Sequence, residues 1–153
     1  IYQIYFIYGY ILVALKEFDQ AKINFLTTIK INPSYELAYL NLANLYSAEN
    51  KINEAEEYIK KLLTINPNNI QGKVTLSVIL AKRDDYHNAE IIAREAIKID
   101  PNNSLANSNL SKILLEIKNY EEADFYAKIA LENKEPEKQS LTLLGSTLEQ
   151  KKT

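Results

Sequence analysis

Apolar side chains in this chain recur three, four and seven residues apart, as in Leu42, Leu45 and Tyr46, or Leu76, Ile79 and Leu80. That spacing lines up one face of an α-helix. Each such stretch ends in a short polar break (Lys16–Gln20, Glu49–Glu54, Lys82–His87, Ile117–Glu122), after which a second helical pattern begins. Asp19 and Asn53 stand in these breaks as expected caps, able to accept the free amide hydrogens of the second helix. Asn53 followed by Glu56 has the form of a capping box, with Asn in place of Ser or Thr. The second pattern ends at Ile-Asn-Pro or Ile-Asp-Pro. Proline lacks an amide hydrogen and drives the residue before it out of helical geometry, so the chain must turn back there.

The unit then repeats. Pro33, Pro67 and Pro101 are 34 residues apart, and Pro136 comes one residue late. On this period, units span residues 2–35, 36–69, 70–103 and 104–137, and a half unit, 138–152, repeats only the first helix. Comparing the units internally gives columns. The seventh position holds Tyr8, Leu42, Leu76, Leu110 and Leu144, and the eighth is small throughout: Gly9, Ala43, Ser77, Ser111 and Gly145. The twentieth is alanine in Ala21, Ala55, Ala89 and Ala123, and the twenty-eighth is Ile29, Leu63, Ile97 and Leu131. Small columns mean two helices in close approach. A repeat of this length means an array whose units bury their apolar faces only against neighbours, leaving one long concave surface. The expected fold is therefore all-α, a solenoid of four helix–turn–helix units. Residues 138–152, with Leu141, Leu144 and Leu148 on one stripe and polar residues around it, are the expected capping helix.

The columns resemble those of the tetratricopeptide repeat, a 34-residue helix–turn–helix with an aromatic, a Leu-Gly pair and a Tyr in its first helix, then Ala, Phe and Pro in its second. Tyr5, Tyr8, Gly9, Leu12, Ala21, Phe25 and Pro33 carry the resemblance in the first unit, and Tyr39, Leu42, Ala43, Tyr46, Ala55, Ile59 and Pro67 in the second. The last two units depart from it: Lys73 and Asn107 replace the aromatic, and Ala93 and Ala127 replace the Phe. Looser packing is expected there. The resemblance implies a right-handed superhelix whose inner face binds a partner peptide.

On that reading, positions two, five, six, nine, twelve and thirteen of each first helix face the concavity. Phe6, Tyr10, Asn41, Asn44, Thr75, Val78, Ser108, Asn109 and Lys112 are the candidate groove residues. Asn41 and Asn109 share a position at which some family members carry an asparagine ladder, whose amides bond the backbone of an extended peptide. Family members that clamp a C-terminal carboxylate use a Lys, Asn and Arg set. Only Asn41 matches it, while Phe6, Tyr10, Gln71 and Thr75 stand at other places of the set, so a chaperone-tail clamp is not expected. Phe6, Ile7 and Tyr10 read either as an aromatic anchor for a partner or as surface covered by an upstream helix.

Composition narrows the function. The chain has 153 residues, 46% of them hydrophobic and 25% charged, the balance of a folded protein. Its formal charge is −2 and no basic stripe exists, so nucleic acid is not an expected partner; only Lys82 and Lys112 lie on the inner face. With no cysteine there is no thiolate nucleophile or thiolate metal site. Its single histidine, His87, sits in a break, the three glycines form no phosphate loop, and the acidic pairs lie in or beside turns. No enzyme activity, cofactor or metal is expected. Ile1–Leu15 is almost wholly apolar but shorter than the roughly 20 residues a membrane span needs, so a core helix is expected instead. The chain lacks methionine and reads as a fragment of a longer protein. The compartment stays open, with the cytoplasm as the default.

Three functions fit: a non-catalytic scaffold binding a peptide or helix in its groove, a substrate-targeting arm of a multidomain enzyme such as a glycosyltransferase, or a structural component that self-associates through its edge repeats.

Overall fold

A computed structural model describes residues 1–133, which form eight α-helices and, among the described residues, no strand. They run α1 (Tyr2–Ala14), α2 (Phe18–Ile31), α3 (Glu36–Ala48), α4 (Ile52–Ile65), α5 (Ile70–Ala81), α6 (Tyr86–Ile99), α7 (Ser104–Glu116) and α8 (Tyr120–Asn133). Residues 138–152, the expected capping helix, lie outside the described residues.

Consecutive helices pack into hairpins, α1 on α2 through α7 on α8, and each hairpin packs on the next through its second helix. First helices also touch across units, α3 with α5 and α5 with α7, so they form a continuous inner layer. The apolar core is divided among the seams between units. Ala21 and Phe25 of α2 meet Ala38, Leu42 and Leu45 of α3. Ala55, Ile59 and Leu62 of α4 meet Leu76 and Ile79 of α5. Ala89 and Ala93 of α6 meet Leu110 and Ile113 of α7. The alanine column is buried in all four units, where the helices cross. Gly9 shows how tight this is: a Cβ there would lie 2.8 Å from the ring of Phe25.

The turns carry a device that the amino acids do not advertise. Lys16, Asn50, Asp84 and Lys118, at one position of the four units, all have φ near +60°. The residue after each donates its amide to a carbonyl five residues back (Glu17 to Leu12, Lys51 to Tyr46, Asp85 to Leu80, Asn119 to Leu114). This is the helix-ending motif in which glycine is the usual left-handed residue. Here four non-glycine residues hold that conformation.

The expected caps move by two residues. α2 begins at Phe18 after Glu17, and α4 at Ile52 after Lys51, so Asp19 and Asn53 lie inside the first turn. Asn53 instead accepts a hydrogen bond from Arg83. Side-chain caps occur elsewhere: Asn69, Asp85 and Asn103 accept from the amides of Gly72, Asn88 and Ala106. At the unit ends, Asn32, Asn66 and Asp100 are extended, as residues before proline must be, and their side-chain oxygens accept the amides of Ser34, Asn68 and Asn102.

In the fourth unit an amide takes over the hydrogen bond of the missing aromatic. In the second unit the Tyr39 hydroxyl donates to the carbonyl of Pro33 at 2.7 Å. Asn107, at the same position and fully buried, donates to the carbonyl of Pro101 at 2.9 Å, so an amide makes the bond that the phenol makes.

Candidate peptide-binding groove

Four columns of the first helices decide what the inner face offers. Position two (Gln3, Leu37, Gln71, Leu105) and position nine (Tyr10, Asn44, Val78, Lys112) are exposed in every unit. Position five behaves differently. Leu40 and Val74 are buried and Phe6 is half-buried, its ring 5.0 Å from Tyr35 and 5.6 Å from Phe25. The structure thus places Phe6 in the seam toward the second unit. Ser108, the equivalent residue of the last unit, lines a hollow of about 560 Å³ at the end of the described array, with Leu105, Ala127, Ala130 and Leu131.

Position six is graded. Ile7 is exposed, Asn41 and Thr75 are half-buried, and Asn109 is buried. Asn41 donates its amide to the carbonyl of Leu37, one turn back on its own helix, at 2.7 Å. Asn109 donates across the units to the hydroxyl of Ser77 at 2.5 Å, and that hydroxyl donates to the carbonyl of Val74. Both expected ladder amides are therefore engaged inside the chain. Asn109 in particular ties α7 to α5.

Beside it lies a hollow of about 260 Å³ between α5 and α7, lined by Val78, Ala81, Tyr86, Asn109, Lys112 and Glu116 among others. Burial raises the Tyr86 phenol above its usual range, so it stays protonated and polar here. Lys82, at the rim, donates to the carbonyl and hydroxyl of Ser47 at 3.1 and 2.9 Å and so joins the ends of α5 and α3. Both inner-face cations are exposed and line the hollow, Lys82 engaged with Ser47 and Lys112 across from it on α7.

The resulting surface is an apolar stripe interrupted by amides: Ile7 and Tyr10, then Leu37 and Asn44, then Val78, then Leu105. Its arrangement suits contact with another polypeptide. Among the described residues, no group of three or more His, Asp or Glu is placed to hold a metal, and no helix is long and apolar enough to cross a membrane.

Paired helices stacked through their second members, with first helices lining one face, define an α-solenoid of helix hairpins. A tetratricopeptide-repeat sequence model matches residues 2–35, 37–69 and 71–103, and a second model of the same repeat matches 92–125. The chain belongs to the tetratricopeptide repeat family, whose members are generally interaction modules and not catalysts. No curated protein matches the chain. Among solved structures, MamA superposes with a TM-score of 0.76 at 15% identity, over 90% of this chain and 81% of MamA. TTC0263, a thermophilic repeat protein of Thermus thermophilus, gives a TM-score of 0.76 at 22% identity, over 86% of this chain and 73% of the other. YrrB, described as a repeat protein with an unusual peptide-binding site, gives 0.68 at 19% identity, over 84% of this chain and 66% of its own. At these identities the likeness is one of fold.

Proposed function

We propose that this chain is a protein-binding module that holds an extended peptide along the inner face, gripping apolar side chains and leaving the peptide backbone largely unread. The observation that carries this reading is the engagement of both ladder amides: Asn41 serves its own helix and Asn109 serves Ser77. What remains open at positions two and nine is Leu37, Leu105, Tyr10 and Val78, together with Gln3, Gln71, Asn44 and Lys112. Apolar anchors seated in shallow hollows dominate the energetics of many interfaces, and the hollow beside Val78 is large enough for one side chain.

The test is selection from a displayed peptide library followed by fluorescence anisotropy on the selected sequence. Val78→Ala should weaken binding about tenfold, since it removes about two methyl groups of apolar contact from the anchor beside the hollow. Asn41→Ala with Asn109→Ala should weaken it much less once the fold is shown intact by circular dichroism. The opposite order would restore the amide ladder as the mode of binding.

A further inference from the structure

The four units can be superimposed position by position, and α1 is the exception at three of them. At positions three, seven and ten, α3 carries Ala38, Leu42 and Leu45, α5 carries Gly72, Leu76 and Ile79, and α7 carries Ala106, Leu110 and Ile113, and all nine are buried. In α1 the same positions hold Ile4, Tyr8 and Ile11, exposed by 70%, 54% and 47%. The core clusters identify what covers these positions elsewhere. Leu42 and Leu45 lie against α2, Leu76 and Ile79 against α4, and Leu110 and Ile113 against α6. In each case the cover is the second helix of the preceding unit.

We propose that Ile4, Tyr8 and Ile11 are the docking face for the second helix of a further unit of the same 34-residue design, carried on the same polypeptide ahead of Tyr2. The size of these side chains constrains that helix. Where the third position is glycine, Gly72, a large Leu62 fills the space, and a Cβ on Gly72 would lie 2.7 Å from it. Where the third position is Ala106, it meets Ala96. Ile4 is larger than either, so the covering helix must present small residues, as α6 does with Ala89, Ala93 and Ala96. Position fourteen agrees. Leu15 stands there in the first unit and Ile117 in the fourth, both apolar and exposed, whereas the second and third units carry the charged Glu49 and Arg83. The first unit is therefore shaped for a neighbour like the third unit, the one that precedes Ile117.

The experiment joins a second copy of residues 70–103 directly ahead of Tyr2 in the full chain, with a copy of residues 36–69 as the comparison. The first addition should raise the melting midpoint by at least about 5 °C and protect Tyr8 from chemical iodination. The second should raise it less, because Ile59 and Leu62 overpack Ile4 and Tyr8. Ile4→Lys with Ile11→Lys should abolish the gain, yet leave the midpoint of the unextended chain within about 2 °C, since exposed sites tolerate such changes. Several results would overturn the proposal: no gain from either addition, a gain that survives the lysines, or an equal loss in the unextended chain. Sedimentation showing an unextended dimer that the lysines dissociate would instead assign the face to a second copy.

Discussion

Replacing Lys16 and Lys118 by glycine should stabilise this protein, although glycine normally weakens a helical one. Both residues are exposed and hold φ of 62° and 64° at the turn between the two helices of their units. A side chain bearing a Cβ costs about 1–2 kcal/mol in this conformation. Glycine removes that strain but gives the unfolded chain extra freedom, worth about 0.5–1 kcal/mol. The net gain is about 0.5–1 kcal/mol at each site. Because the two turns belong to the first and fourth units and share no partner, the gains should add, to about 1–2 kcal/mol in the double variant. That corresponds to a rise of about 3–6 °C in the melting midpoint. Urea unfolding followed by far-ultraviolet circular dichroism measures it. Two references isolate the cause. Asn50→Gly, at φ 60° in the second unit, should change stability by less than about 0.5 kcal/mol, since asparagine tolerates the left-handed region. Lys16→Ala removes the charge and keeps the strain, so it should gain nothing. If Lys16→Ala stabilised as much as Lys16→Gly, the effect would be electrostatic and the backbone argument would fail.

Gly9→Ala should destabilise by about 1–3 kcal/mol despite alanine's helix propensity, because the added methyl meets the fully buried ring of Phe25 at 2.8 Å; a chemical-denaturation midpoint no lower than that of the parent would show that the ring can yield. Glu49 is held below its ordinary value of 4.5 by hydrogen bonds from Lys22 and Lys51, and Lys22 above its ordinary 10.5 by Glu49. The carboxylate's contribution is complete above about pH 4.5 and disappears as pH falls through its lower folded value, while that of Lys22 is complete below about pH 10.5 and disappears as pH rises through its higher folded value. Glu49→Gln should cost about 1–3 kcal/mol at pH 7, because the buried Lys22 ammonium loses its charged partner, and flatten the acid limb of a stability-against-pH curve; an unchanged acid limb would remove Glu49 from the cause.

The period made the helix hairpins legible, because proline, alanine and small-residue columns each report a contact that every unit must make. What the columns could not show was how one unit departs from another. Position five lies on the concave side of the helix as judged by angle alone, yet Leu40 and Val74 are buried because the superhelical stagger brings the next unit over them. Asn109 looked like Asn41 on the sequence, and only the serine at Ser77, one unit away, turns it into a strut. The turns were hidden in the first and fourth units, where Lys16 and Lys118 carry no sign of positive φ, while Asn50 and Asp84 are of types that tolerate it. Asp19 and Asn53 have the chemistry of caps, but each stands two residues beyond the cap position, after Glu17 and Lys51.

The charges at the seams show that the units, similar in fold, are not interchangeable. Position twenty-one of one unit faces position fourteen of the next. At the first seam Lys22 meets Glu49 at 2.5 Å, with its ammonium also over the ring of Tyr46. At the second the same two positions hold Glu56 and Arg83, at 2.6 Å and with the sign reversed. At the third, position fourteen is Ile117, so Glu90 turns back to Arg94 on its own helix, and Arg94 makes the inter-unit contact by reaching Glu122 at 2.5 Å. Stacking the third unit on the first would set Lys22 against Arg83, two like charges beside an apolar seam. Lys22 and Glu56 are largely buried at their seams, so an ion set against a like charge there costs more than the matched pair contributes, and the reversal of sign disfavours a slipped stack of the third unit on the first. A chain whose seams are individually addressed holds each unit against its own neighbour, so the exposed inner-face residues keep one register from Tyr10 to Lys112.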